Sequence, residues 1–267
     1  MSLERALIDG REFGLTEAAL SVTDTGVTRG DGVFETVGVW DGRTFRLADH
    51  LERLTRSARV IGLPKPDLAL LEEEADQLLR DCDQDAALRF FVTGSGTRLV
   101  TLSEQPTRRP PDHLVSQLAP WIRPLGSYGP AGAKTMSYGP NMAATRAAER
   151  AGGVDALLVA LEGYVLEGPT FCLLWTADGV LFTPEVELGI VDSISRRTLV
   201  ELARAEGLVV REGRYTLRDL QAGREVLACS SVRPVVGVRR IDDIPFAPHG
   251  EVTAVLAEAM QRRRRAS

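Results

Sequence analysis

At 267 residues the chain has room for one large domain or two of ordinary size, and 44% hydrophobic with 26% charged residues is a globular composition. The net charge of −5 argues against nucleic acid as the main partner, and the one basic run, Arg262–Arg265, reads as the solvated end of a last helix. Three separated cysteines (Cys82, Cys172, Cys229), three scattered histidines (His50, His113, His249), a charged N-terminus and no apolar run near the roughly 20 residues a bilayer needs lead us to expect no cysteine zinc site, no signal peptide and no membrane span. A soluble, cytoplasmic protein without a metal is expected.

In chain order, "ALIDGREFG" reads as a hairpin turning at Asp9-Gly10, and "GVFETVGVWDGRTFRL" as two strands around Asp41-Gly42. A helix from about Ala48 puts Leu51, Leu54, Ala58 and Ile61 on one face and stops before Pro64; "PDLALLEEEADQLLRD" is a second amphipathic helix. "AALRFFVTG" and "RLVTLSE" pair around "GSGT", "QPTRRPPDH" is turn-like, and "HLVSQLAPWI" is one more strand. The Gly- and Pro-rich stretch 123–133 reads as a linker between a domain of residues 1–122 and one of residues 134–267. The second half opens with a helix over 141–151, ended by Gly152-Gly153. A hairpin at Glu162-Gly163 follows, then the strands of "FCLLWTADGVLFTP", and then a capped helix, "SISRRTLVELARAEG". A strand, "GLVVREGRYT", a short helix, "LRDLQAG", the strands "EVLACSS" and "PVVGVRRI", and a closing helix complete it. Strands and helices cluster rather than alternate, which predicts an α+β fold.

"GDGVFE" has Glu35 where a dinucleotide fingerprint needs its third glycine, and "GSGTR" lacks the Lys-Ser/Thr of a phosphate loop. Of 32 basic residues only Lys65 and Lys134 are lysine. Arginine stays protonated, whereas a lysine amine can be tuned to attack a carbonyl, so composition marks Lys134, in "GAKTMSYGPN", against the alternative of a solvated surface lysine. Pyridoxal phosphate needs such a lysine, an acid at its ring nitrogen and a phosphate cradle. Glu167 in "GYVLEGPT", the helix start "SISRR" and Arg53 are residues of the right kind, although each alone also fits a turn, a plain cap or a surface arginine.

"RGDGVFETVGVWDGRTFRLADHLERLTRSA", "AKTMSYGPNMAATRAAERAGGVDALLV" and "GYVLEGPT" together resemble the class IV aminotransferases in order and spacing, from Asp9-Gly10 to the closing helix. These are fold-type IV pyridoxal phosphate enzymes, among them branched-chain and D-amino acid transaminases and 4-amino-4-deoxychorismate lyases. The resemblance implies a small N-terminal α+β domain, a larger C-terminal pseudo-barrel domain, and a homodimer with the cofactor between the domains. It gives Lys134 the role of Schiff-base lysine and Arg53 that of phosphate-binding arginine. Glu167 becomes the partner of the pyridine nitrogen, and Ile194, Ser195 and Ser231 the rest of the phosphate cradle. It sets Phe34 and Arg98 on the substrate side. D-amino acid transaminases have tyrosine in place of Phe34 and an Arg-x-His carboxylate trap where this chain reads "RLV" (98–100), and many members have asparagine in place of Cys172. "DGVFET", "AKTMSY" and "SSVRP" look most like the aminodeoxychorismate lyase branch, implying release of 4-aminobenzoate and pyruvate for folate synthesis. The alternative is transamination of D- or branched-chain amino acids.

Overall fold

The computed structural model describes residues 3–107 and 109–266; Arg108, within the proline-rich turn, lies outside them. The chain forms two compact units: Met1–Thr107 with Ala133–Tyr138 and Arg264–Ser267, and Arg108–Gly132 with Gly139–Arg263.

The first unit is an antiparallel sheet of β1 (Arg5–Ile8), β2 (Arg11–Gly14), β3 (Gly32–Trp40), β4 (Arg43–Thr44), β5 (Ala86–Thr93) and β6 (Arg98–Glu104), in the order β2-β1-β6-β5-β3-β4. Both predicted Asp-Gly hairpins form, with φ of 48° and 83° at Asp9 and Gly10 and 49° and 75° at Asp41 and Gly42, the left-handed pair that a two-residue turn requires. A short helix α1 (Thr25–Arg29), not expected from the sequence, precedes β3. Helices α2 (Leu47–Val60) and α3 (Leu68–Leu79) pack on one sheet face. Their apolar stripes, led by Leu51, Leu54, Leu71 and Leu78, bury against Val33, Val37, Leu88 and Leu102.

The second unit holds β7 (His113–Leu118), α4 (Gly139–Arg150) and β8 (Asp155–Val159), a parallel strand pair joined through a helix. β9 (Cys172–Ala177), β10 (Val180–Pro184), α5 (Ile194–Ala205), β11 (Val209–Gly213), α6 (Leu217–Gln221), β12 (Glu225–Ser230) and β13 (Arg233–Val238) follow. β14 (Arg240–Ile241), β15 (Ile244–Pro245) and α7 (Glu251–Arg265) close the chain. One sheet runs β11-β10-β9-β12-β13 and the other β15-β14-β7-β8, so the fold is α+β as expected. Among the described residues no helix is long and apolar enough to cross a membrane.

The division differs from a boundary at 122 and a linker over 123–133. Leu125 N–H donates to the Glu187 carbonyl at 3.0 Å and Gly132 N–H to that of Gly189 at 3.1 Å, which ties this Gly- and Pro-rich stretch into the second unit. Gly189 has φ of 86°, and a Cβ there would meet the Arg123 carbonyl oxygen at 1.7 Å, so only glycine permits the approach. Lys134, expected to open the second domain, belongs with the first.

Candidate active site

Lys134 reaches its place by strand pairing. Phe34 N–H donates to the Lys134 carbonyl at 3.1 Å, Met136 N–H donates to the Gly32 carbonyl at 2.8 Å, and Thr135 bridges Val33 in antiparallel register. The segment thus lies along the edge that β3 leaves open before β4 begins. A Cβ on Gly32 would meet Met136 Sδ at 2.5 Å and the Val92 carbonyl oxygen at 2.8 Å, so glycine lets both neighbours come close. Lys134 N–H also donates to Ser57 Oγ at 3.0 Å, fixing the residue to α2.

The Lys134 side chain is half-buried. Its Nζ lies 4.2 Å from the Phe34 ring centroid and 5.2 Å from that of Tyr138, and donates to Tyr138 Oη at 3.2 Å. Phe34 stacks on Phe91 and meets Tyr138 edge-on. Among the described residues Lys134 makes no ion pair: aromatic faces and one phenol surround the amine where a surface lysine would find a carboxylate.

Arg53 is 5% exposed. Its Nε and Nη2 fork onto Glu35 Oε1 and Oε2 at 2.6 and 2.7 Å, and His50 Nδ1 meets Oε2 at 2.8 Å. His50, Arg53 and Ser57, spaced three and four apart, form one stripe of α2. Glu35 lies on the inward face of β3 with Val33, Val37 and Val39. Burial acts to raise the Glu35 carboxyl, but the Arg53 charge and the bonds from Arg53 and His50 overcome it and hold the group far below the usual carboxylate range. Burial depresses His50; its bond to Glu35 acts the other way, and the charges of Arg53 and Lys134 add to the depression. Sequence reasoning singled out Arg53 but not its neighbours Glu35, His50 and Ser57, nor Tyr138 beside Lys134.

In the second unit, Leu158 N–H donates to the Glu167 carbonyl at 2.9 Å, the return arm of the predicted hairpin, and Val191 N–H donates to Glu167 Oε1 at 3.0 Å. Two residues on, Ser193 caps α5, its Oγ accepting from Arg196 N–H at 3.3 Å. The caps leave the amides of Ile194 and Ser195, both buried, at the first turn, where helix geometry provides no acceptor. Cys172 lies beside this turn. Burial first, then Cys229, push its thiol up, while a contact with Ser193 and the charge of Arg196 act the other way. Its Sγ donates to the Cys229 carbonyl at 3.2 Å. It is a neutral thiol. Ser231 is half-buried at the β12–β13 turn, between the paired residues Ser230 and Arg233.

Arg98 is placed otherwise. Its guanidinium forks on Glu74, with Nη2 2.8 Å from Oε1, and Asp9 stands 3.9 Å away. Its charge is paired, as that of Arg53 is with Glu35, and the substrate-side role expected of Arg98 rests on the resemblance alone.

Residues 32–241 match the model of the amino-transferase class IV family. The chain is 32% identical to the bifunctional aminodeoxychorismate lyase / D-amino acid transaminase of Mycobacterium tuberculosis, over 94% of this chain and 96% of that one. It is 30% identical to a putative branched-chain-amino-acid aminotransferase of Methanocaldococcus jannaschii, over 94% and 93%. A hypothetical aminotransferase from Mycobacterium tuberculosis, solved in its PLP-bound form, superposes with a TM-score of 0.89 at 29% identity, covering 98% of this chain and 99% of that one. With sequence and backbone agreeing over nearly the whole length, the chain belongs to the class IV aminotransferase family.

Proposed function

We propose that the protein is a 4-amino-4-deoxychorismate lyase, releasing 4-aminobenzoate and pyruvate, and that it works as a homodimer. As a class IV aminotransferase family member it is a pyridoxal phosphate enzyme. The residues present fit that cofactor: Lys134 offers a primary amine, the group that condenses with an aldehyde, and this amine makes no ion pair among the described residues, is edged by aromatic rings and lies within hydrogen-bond reach of Tyr138 Oη. Bound pyridoxal phosphate supplies an electron sink for a carbanion at the carbon bearing the substrate nitrogen.

The chain's own residues do the rest of the work. Lys134 would hold the cofactor, and its amine would take the proton from the nitrogen-bearing carbon of the substrate and return one to the departing enol. Tyr138 Oη, within hydrogen-bond reach of Nζ, orients the amine. Glu167, steadied by Val191 N–H, holds a proton at the ring nitrogen. By the resemblance, Arg53, the amides and hydroxyl of Ile194 and Ser195, and Ser231 are the residues that would hold the phosphate.

The observation that carries the lyase reading is the state of β6. Arg98 is present but tied to Glu74, and Val100 is sealed in the core, so the strand that the resemblance makes a carboxylate trap in D-amino acid transaminases lacks the trap's imidazole here. The M. tuberculosis relative, whose name carries both activities, supports transamination of D-amino acids as the second reading.

The two separate on co-substrate. The lyase forms 4-aminobenzoate and pyruvate from aminodeoxychorismate with no keto acid present. Turnover of D- or branched-chain amino acids strictly dependent on a keto acid, with aminodeoxychorismate inert, selects the transaminase. Borohydride reduction followed by peptide mass spectrometry places the pyridoxyl group on Lys134. A pyridoxyl group on Lys65 overturns the assignment in either case.

A further inference from the structure

We propose that His50 is a positioning residue for Arg53 that takes up a proton at Nε2 when a phosphate docks on that arginine, coupling ligand binding to proton uptake. The inference rests on the assignment of Arg53 to a phosphate. Its own ground is the geometry around Glu35. The carboxylate spends both oxygens on the cluster: Oε1 accepts from Arg53 Nε at 2.6 Å, and Oε2 accepts from Arg53 Nη2 at 2.7 Å and from His50 at 2.8 Å.

A carboxylate only accepts, so the hydrogen of a neutral imidazole must sit on Nδ1 and the lone pair on Nε2. That Nε2 is sealed from solvent and has no hydrogen-bond partner. The ionised groups facing His50 are Glu35 on β3, Arg53 on its own helix and Lys134 on the strand-like segment beside β3. Glu35 and Arg53 cancel, and Lys134 adds positive charge, so the imidazole stays neutral. A docked phosphate brings up to about two negative charges to Arg53, in an interior where water screens poorly. The balance then turns negative, and Nε2, whose lone pair has no hydrogen-bond partner, can accept a proton without breaking an existing bond. The fixed Nδ1–H···Glu35 bond holds the guanidinium plane throughout.

The test is calorimetric titration of the full apoprotein with pyridoxamine 5′-phosphate, which carries the phosphate but cannot condense with Lys134. Repeating it near pH 7 in buffers of different ionisation enthalpy counts the protons taken up. His50→Asn keeps an N–H donor near the Nδ1 position and removes the titrating nitrogen. The wild-type chain takes up a large part of one proton per ligand. His50→Asn takes up correspondingly less, with affinity at pH 8 within about threefold of wild type. Because the bound form holds the extra proton, wild-type affinity falls as pH rises through this range, and the variant's falls less. Equal proton uptake in the two proteins overturns the inference and leaves the cofactor reading intact. Failure of the wild-type chain to bind the ligand at all overturns the Arg53 assignment and the inference with it.

Discussion

Glu35 is 0% exposed in the middle of β3, and what makes this tolerable is that both of its oxygens are occupied by charge-assisted bonds. Removing one partner of such a pair is far costlier than removing both, because the survivor keeps its charge in a medium that cannot solvate it. Glu35→Gln is therefore expected to destabilise the apoprotein by about 3–5 kcal/mol. The double variant Glu35→Gln/Arg53→Met loses distinctly less, since no buried charge is stranded. Urea unfolding of wild type and both variants measures this; a double variant at least as unstable as the single one rules out ion-pair stranding as the cause. The cluster had a signal in the sequence. Period-two reading of "GVFETVGVW" puts Glu35 on the same face as Val33, Val37 and Val39, and helical spacing aligns His50 with Arg53 and Ser57. A strand that looks apolar throughout hides one carboxylate, and an arginine matched to a single family role invites no search for a second partner.

Elements with local chemistry were legible at their boundaries. Asp-Gly turns specify their own backbone angles, and α3 begins where Asp67 Oδ1 accepts from Ala69 and Leu70 N–H at 3.1 and 3.2 Å. Asp67→Ala, which removes that acceptor from an exposed cap, is expected to cost about 1 kcal/mol, and Asp67→Asn only a fraction of it. Chemical denaturation resolves the two, and an alanine variant as stable as wild type would show that the cap contributes nothing. Helix α1 had no such local signal. Five residues cannot hold a helix alone, and its cap, Asp24, is held by Thr93 and Thr97 hydroxyls at 3.0 and 2.7 Å, contacts that exist only once β5 has formed. The stretch 123–133, read from composition as a linker, is misleading for the same reason. Its composition speaks for flexibility, while the carbonyls of Glu187 and Gly189 that fix it lie some sixty residues on.

At the scale of the molecule, the path of the chain defeats a linear division. It leaves the first unit after Thr107, returns for Ala133–Tyr138, leaves again, and ends there with Arg264–Ser267. Lys134 is set apart in the sequence by its rarity, but its attachment to β3 follows from pairing with Gly32 and Phe34 and not from its position after a Gly- and Pro-rich stretch. The pairing also separates two roles that a single substitution confuses. Arg53→Ala would strand the Glu35 carboxylate, mixing loss of cofactor with loss of fold. Glu35→Gln/Arg53→Met removes the phosphate's proposed cation without that penalty, and charge-assisted bonds of about 1.5–3 kcal/mol predict a cofactor affinity weakened about 10–100-fold. Ser231→Ala, which removes one neutral donor, weakens it less. Excess pyridoxal phosphate is expected to restore turnover in both, since both residues are proposed to meet the phosphate and not the carbon that reacts. Lys134→Arg keeps the charge, loses the nucleophilic amine, and is not rescued at any concentration. Titration of activity and of visible absorbance against added cofactor distinguishes these cases. A double variant whose turnover stays low at saturating absorbance would move Arg53 from the phosphate to the substrate.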